Sequence, residues 1–254
     1  PPVSTRCCGS WSLRAGAPLH AEPRRAGGAQ RIPRPADWSP GGGAPWPVPG
    51  DPVSVDHVVS RIRSSAYSGP FEPDWVDARR SAVLVVLAEH SDPHQSGGAQ
   101  VLLTRRSMQL SSHQGEVSFP GGRLDAGETY EEAALREAFE EVGLPPEEVT
   151  VVSRLSPIST WVSSSWIVPV VATVARPMPL EARTGEVDRV LWTPLHDLTR
   201  PGTYREELWH TVHGEHPIYF FELDDETVWG ATARMLHEVL RAAHDVVRRE
   251  PPAV

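Results

Sequence analysis

Lysine and asparagine are absent from the 254 residues, and cysteine occurs only as the adjacent pair Cys7 and Cys8. Neighbouring cysteines are poorly placed for a structural disulfide, and the remaining chain carries no thiol, so no oxidising compartment is needed. Cysteine and histidine nowhere cluster at the spacing of a zinc site. All 24 basic residues are arginine. The codons of the two missing residue types are rich in A, so a GC-rich genome accounts for the bias without invoking nucleic acid. No apolar run approaches the length of a membrane span, and no signal-peptide pattern marks the first residues. These absences lead to the expectation of a cytoplasmic protein with no membrane partner. Hydrophobic residues make up 39% of the chain, enough for a sizeable core.

Charge is uneven along the chain. Residues 1–52 hold six arginines against three acids, Glu22, Asp37 and Asp51. The remainder holds 18 arginines against 30 acids, a net of −12. An acidic body argues against duplex DNA or a phospholipid surface as partner. The first 52 residues also contain 11 prolines and eight glycines. Such a stretch buries too little apolar surface to offset its ordering entropy, so a disordered tail is expected there. Residues 53–254 are expected to form one folded domain, and the sequence leaves its oligomeric state open, a homodimer included.

The densest information lies in Gly122 to Leu144, GRLDAGETYEEAALREAFEEVGL. Glu137, Glu140 and Glu141 fall at i, i+3 and i+4, which share one face of a helix. Carboxylates crowded on one face repel unless something cationic sits among them. Oxygen-only ligands of high charge suit a hard cation such as Mg2+ or Mn2+. The alternative is a solvated acidic helix face. Thr129 with Glu132 three residues later predicts a capped helix from about Tyr130 to Val142, with Tyr130, Ala133, Ala134 and Ala138 facing inward. Gly143 should end it, and Pro145 and Pro146 prevent its return. Arg136 is positioned to tie down the carboxylates by bidentate pairing.

The segment resembles the Nudix box, G-x5-E-x7-R-E-U-x-E-E-x-G-U with U apolar. Gly122, Glu128, Arg136, Glu137, Glu140, Glu141 and Gly143 occupy its fixed positions, and Ala138 and Leu144 its apolar ones. The resemblance implies that Glu137, Glu140 and Glu141 hold metal together with the Gly121 carbonyl. It implies that Arg136 orients them, and that Gly122, Glu128 and Gly143 maintain the loop–helix structure. Upstream, Leu102 to Gly122 reads LLTRRSMQLSSHQGEVSFPGG, similar to the signature of the coenzyme A diphosphatase branch. Ser111 stands where that signature often has arginine, with His113 two positions on. Arg105, Arg106, Ser107, His113 and Arg123 are the expected substrate contacts. The bland readings are a solvated strand end for the arginines and a loop residue for His113.

Apolar runs at 81–88, 99–105, 149–155 and 167–174 predict strands. The stretch 186–198 predicts a strand entering a short helix, Tyr219 to Phe221 a late strand, and 227–249 a final helix. Val55 to Ala66 predicts an amphipathic helix. Strands interleaved with helices fit an α/β fold, a Nudix-type α/β/α sandwich with a mixed sheet.

The implied activity is metal-dependent hydrolysis of the diphosphate bond of a coenzyme A-like nucleotide, giving 3′,5′-ADP and 4′-phosphopantetheine. Glu137 and Glu140 are the candidates for general base, with Glu181, Glu186, Glu206 or Glu207 as candidates outside the box. Two other readings stand beside it. One is hydrolysis of another nucleoside diphosphate derivative, such as ADP-ribose or an oxidised nucleotide. The other is a non-catalytic binding module.

Overall fold

A computed structural model describes residues 27–28, 30–75, 77–90, 97–110, 112–160, 164–212 and 214–246. A mixed eight-stranded sheet forms its centre. The spine of that sheet is β2 (Arg79–Glu89), which pairs in parallel with β8 (Ser165–Thr173) from end to end. On one side β2 meets β3 (Ala99–Arg106) and β5 (Gly121–Arg123), both antiparallel. β3 in turn pairs with β4 (Val117–Ser118) and β9 (Val187–Pro194). On the other side β8 carries β6 (Thr150–Arg154) and β7 (Ile158–Thr160).

Both faces of β2 are buried, as its continuous apolar run predicts. Ala82, Leu84, Val86 and Ala88 point to one side, where α2 (Tyr130–Val142) covers them with Tyr130, Ala133, Ala134 and Ala138. Val85 and Leu87 point to the other, toward α1 (Val55–Ser64) and α3 (Gly230–Ala243). The period-2 alternation of one strand thus builds two cores. The result is the expected α/β/α sandwich.

The helix limits follow local chemistry. Thr129 caps α2 through a reciprocal capping box with Glu132, and Gly143 closes it in the left-handed region at φ 73°. Five strands of the central sheet and the short turn Leu195–Thr199 fall where the apolar patterning places them.

Two expectations fail. The first is the disordered tail to residue 52. Its residues 30–52 pack on the domain, whereas residues 1–26 and 29 lie outside the described residues. Trp46 is buried against Tyr204, Phe221 and His237. The Gly50 N–H donates to Thr199 Oγ1 at 2.9 Å. β1 (Trp38–Pro40) pairs with β10 (Tyr204–Thr211). Backbone pairing and one large aromatic anchor supply what the aliphatic content does not.

The second concerns the C-terminal third. β10 and β11 (Gly214–Glu222) form a long hairpin, and Thr227–Trp229 is strand β12 rather than helix. With β1 they make a second, four-stranded sheet. The strand β10, YREELWHT, is rich in charge because Arg34 and Arg205 bind its Glu207 and the Tyr204 hydroxyl donates to its Glu206, pairings that composition does not reveal.

Candidate active site

The tight turn Phe119–Gly122 brings β5 beneath α2. A Cβ on Gly121 would collide with the Ala82 carbonyl, and one on Gly122 would collide with the Glu137 carboxylate. Glycine at 122 therefore makes room for Glu137, a more specific need than turn flexibility. The Gly121 N–H donates to Glu141 Oε2 at 3.3 Å.

Arg136 organises this face. Its Nε and Nη2 donate to the two oxygens of Glu128 at 2.7 and 3.0 Å. Its Nη1 donates to Glu137 Oε1 at 3.0 Å and Glu140 Oε2 at 3.3 Å. Its Nη2 also donates to the Arg123 carbonyl at 3.0 Å. The guanidinium, helped by the Asp125 N–H, holds the Glu128 carboxyl down at about 2. Arg136 is itself held firmly in its charged form by those carboxylates.

The inward glutamates behave oppositely. Burial raises Glu137 above the usual carboxylate range, against the pull of Arg136, and the charges of Glu140 and Glu186 add to the rise. Burial raises Glu141 to about 7, opposed by the Gly121 N–H and Arg106 and reinforced by Glu137 and Glu186. This inner surface is thus short of positive charge.

Charged oxygen donors lacking compensation fit a hard divalent cation. Glu141 is the side chain of that character; beside it, one oxygen of Glu137 is bound by Arg136, and Glu186 is bound by Arg106. The expected trio of helix glutamates does not converge, however. Among the described residues no three His, Cys, Asp or Glu side chains form a ready metal cluster. Glu140 stands half-exposed on the flank of α2. The reason is Arg136, the cation within reach at i−4, which draws Glu140 outward.

The upstream residues divide between two faces. Arg106 lies on the box side, where its charge acts on Glu141 and its Nη2 donates to Glu186 Oε2 at 3.3 Å. Arg105 does not join it. Its Nε donates to Asp188 at 2.8 Å and its Nη1 to buried Glu226 at 2.8 Å. Consecutive strand residues face opposite ways, so the adjacency of two arginines in sequence separates them in space. That alternation was the available signal, and Arg105 is corrected from substrate contact to structural ion pair.

Ser107 is buried in the loop after β3, where its N–H donates to the Glu186 carbonyl at 2.7 Å and its Oγ accepts the Gln109 N–H. His113 is exposed, with φ 55°, and its Nδ1 lies 2.8 Å from Glu116 Oε2. Ser111 lies outside the described residues. Arg123 is exposed, and its carbonyl rather than its side chain meets Arg136.

Of the four glutamates considered outside the box, Glu186 is the one whose charge reaches Glu137 and Glu141. Glu206 accepts from Tyr204 Oη, and Glu207 is bound by Arg34, Arg205 and Trp209 Nε1, all in or on the second sheet. Glu181 is exposed on the segment before β9.

A family model described as the NUDIX domain matches residues 78–214, more than half of the chain. The chain belongs to the Nudix family. Two similar relatives are both named uncharacterized Nudix hydrolase NudL. The one from Cronobacter sakazakii is 32% identical over 189 residues, covering 74% of this chain and 94% of the relative. The one from Salmonella enteritidis is 31% identical over 188 residues, covering 74% and 93%. Among solved structures, a MutT/nudix family protein from Enterococcus faecalis is 19% identical with a TM-score of 0.47, covering 76% of this chain and 75% of that one. The protein is accordingly a Nudix hydrolase, a diphosphatase by family. Among its described residues, no helix is long and apolar enough to cross a membrane.

Proposed function

We propose that this Nudix hydrolase cleaves the diphosphate bond of coenzyme A or a derivative in the cytoplasm, releasing 3′,5′-ADP and 4′-phosphopantetheine. One observation carries the reading. The stretch matching the coenzyme A signature runs along β3, β4 and β5 and ends at the box, with Arg106 acting electrostatically on Glu141.

In this reading Glu137, Glu140, Glu141 and the Gly121 carbonyl would hold Mg2+ or Mn2+. When bound, the metal neutralises phosphate charge and acidifies the attacking water. Arg136 fixes the helix carboxylates through Glu128, so that little reorganisation is needed during reaction. Glu137 or Glu140 takes the proton of the water that attacks phosphorus in line, and Glu186 is the candidate outside the box. Arg106 and Arg123 supply cationic contacts to the diphosphate and the 3′-phosphate. Ser107, whose N–H donates to the Glu186 carbonyl, and His113 complete the substrate contacts of this reading.

The test is incubation with coenzyme A, ADP-ribose and a nucleoside triphosphate panel with Mg2+ or Mn2+, products being identified by mass. Metal-dependent formation of 3′,5′-ADP and phosphopantetheine from coenzyme A is the expected result. Preferential cleavage of ADP-ribose or a triphosphate would keep the Nudix chemistry and reject this substrate.

A further inference from the structure

The pairing of β3 with β9 breaks at one place. Arg105 lies opposite Arg189, but Arg106 lies opposite Val187, leaving Asp188 as an extra residue. Two arginines directly opposite each other repel. The structure answers with Glu226, a carboxylate only 2% exposed, on the segment leading into β12 of the second sheet. One oxygen of Glu226 accepts from Arg105 Nη1 at 2.8 Å and from Arg189 Nη1 at 2.9 Å. Asp188, the bulged residue, takes Arg105 Nε at 2.8 Å, and Asp225 takes Arg189 Nη1 at 2.6 Å. Four acids and arginines from the two sheets thus converge with Glu226 on one irregularity.

A bulge of this kind re-aims the side chains beside it. Just beyond it lie Arg106 at the end of β3 and Glu186 immediately before β9. The Ser107 N–H donates to the Glu186 carbonyl, and Arg106 Nη2 donates to the Glu186 carboxylate. Arg106 Nε is buried without a hydrogen-bond partner among the described residues, so its aim is set by backbone and packing rather than by a full complement of bonds.

We infer that Glu226 is a positioning residue: from the second sheet it clamps the Arg105–Arg189 pair, holds the bulge at Asp188, and thereby aims Arg106 at the box. The inference rests on the proposed role of Arg106 in holding substrate phosphates. Shape alone does not require a buried charge here, because apolar side chains of similar size are commonly as stable as a buried ion-pair group.

Glu226→Gln keeps the size and removes the charge. Amide hydrogen exchange should speed up in segments 104–109 and 186–189 while α2 stays protected. KM for coenzyme A should rise about tenfold with kcat held within about twofold, the outcome of a displaced binding group. Combined with Arg106→Ala, the effect on KM should be less than the sum of the two single effects. Unchanged exchange in both segments overturns the inference, and so does strict additivity. An Arg106→Ala protein with normal KM removes the substrate role of Arg106, yet exchange in the Glu226→Gln protein still decides whether the clamp exists. Should Glu226→Gln not fold, Asp188→Ala, at the partly exposed end of the clamp, loosens the same bulge and is read by the same two measurements.

Discussion

On the inner side of α2, Glu141 is buried and Glu137 half-buried, with too little positive charge around them. On the outer face of the second sheet Glu207 is buried just as deeply, at 3% exposed, yet Arg34, Arg205 and Trp209 Nε1 all bind it. Glu222 beside it receives Arg205 Nε at 3.0 Å and the Thr227 hydroxyl at 2.5 Å. Each acid of that ladder has its partner inside the chain. On the box face, by contrast, no arginine binds Glu141 among the described residues, and its hydrogen bond comes from the Gly121 N–H. Buried charge that is compensated holds structure together, whereas buried charge left uncompensated costs stability and is retained where a ligand completes it.

The sharpest way to break this contrast is to remove one charge from each side. Glu137→Gln should lower kcat by about 10²–10³-fold, the scale of losing one group that stabilises the transition state. Gly122→Ala should mimic it, because the new Cβ would displace the Glu137 carboxylate. Steady-state kinetics on the preferred substrate checks both, and near-normal turnover would remove Glu137 from the machinery.

Glu141→Gln should act on stability with the opposite sign from a paired acid. The folded-state pKa of Glu141, about 7, lies above its ordinary 4.5. Its contribution is therefore fully present below about pH 4.5 and lost as the pH rises through 7. With a chelator present at pH 8, Glu141→Gln should stabilise the fold by roughly 3 kcal/mol, and by little at pH 4.5. Denaturant melts at the two pH values measure the difference, and destabilisation at pH 8 would contradict the assignment of unmet charge.

Glu207→Gln should destabilise instead, by about 3 kcal/mol. The low end of the range for breaking a buried pair applies because Arg34 is partly exposed. Its kcat should be unchanged. A loss of turnover without a loss of stability would mean that the second sheet takes part in chemistry.

The smallest expected effect concerns His237. Its ring stacks on Tyr219 at 4.1 Å and packs against Trp46. Burial, together with Arg241 and Arg234, lowers its pKa from 6.5 to about 4. The neutral ring contributes full stability above pH 6.5 and loses it as the pH falls toward 4. At pH 5.5 the loss is about 1 kcal/mol, one pH unit of linkage. His237→Phe should remove this component from the stability profile, read by melting between pH 5 and 7.

Much of the central sandwich was legible because its signals are local. Continuous apolar runs marked β2 and β8, and Thr129, Glu132 and Gly143 bounded α2 to the residue. The second sheet was not legible, because its strands carry glutamates and arginines that only pairing renders suitable for burial. Trp46 gave no local sign of being an anchor, since its pocket is assembled from Tyr204, Phe221 and His237, more than 150 residues away in sequence.

The sequence by itself determined the helix, its cap and stop, and the identity of the box residues, since these depend on spacing within a few turns of chain. It also pointed to Arg136 as the tie for the helix carboxylates, of which Arg136 binds Glu137 and Glu140; the bidentate partner Glu128 came only with the fold. Tertiary structure alone decided which face each upstream arginine takes, because a strand turns alternate side chains apart and a bulge can reset them. It also decided that Glu186, and not Glu206 or Glu207, lies in the field of the box. Those choices turn on which strand lies beside which, a long-range pairing that no short stretch of sequence encodes.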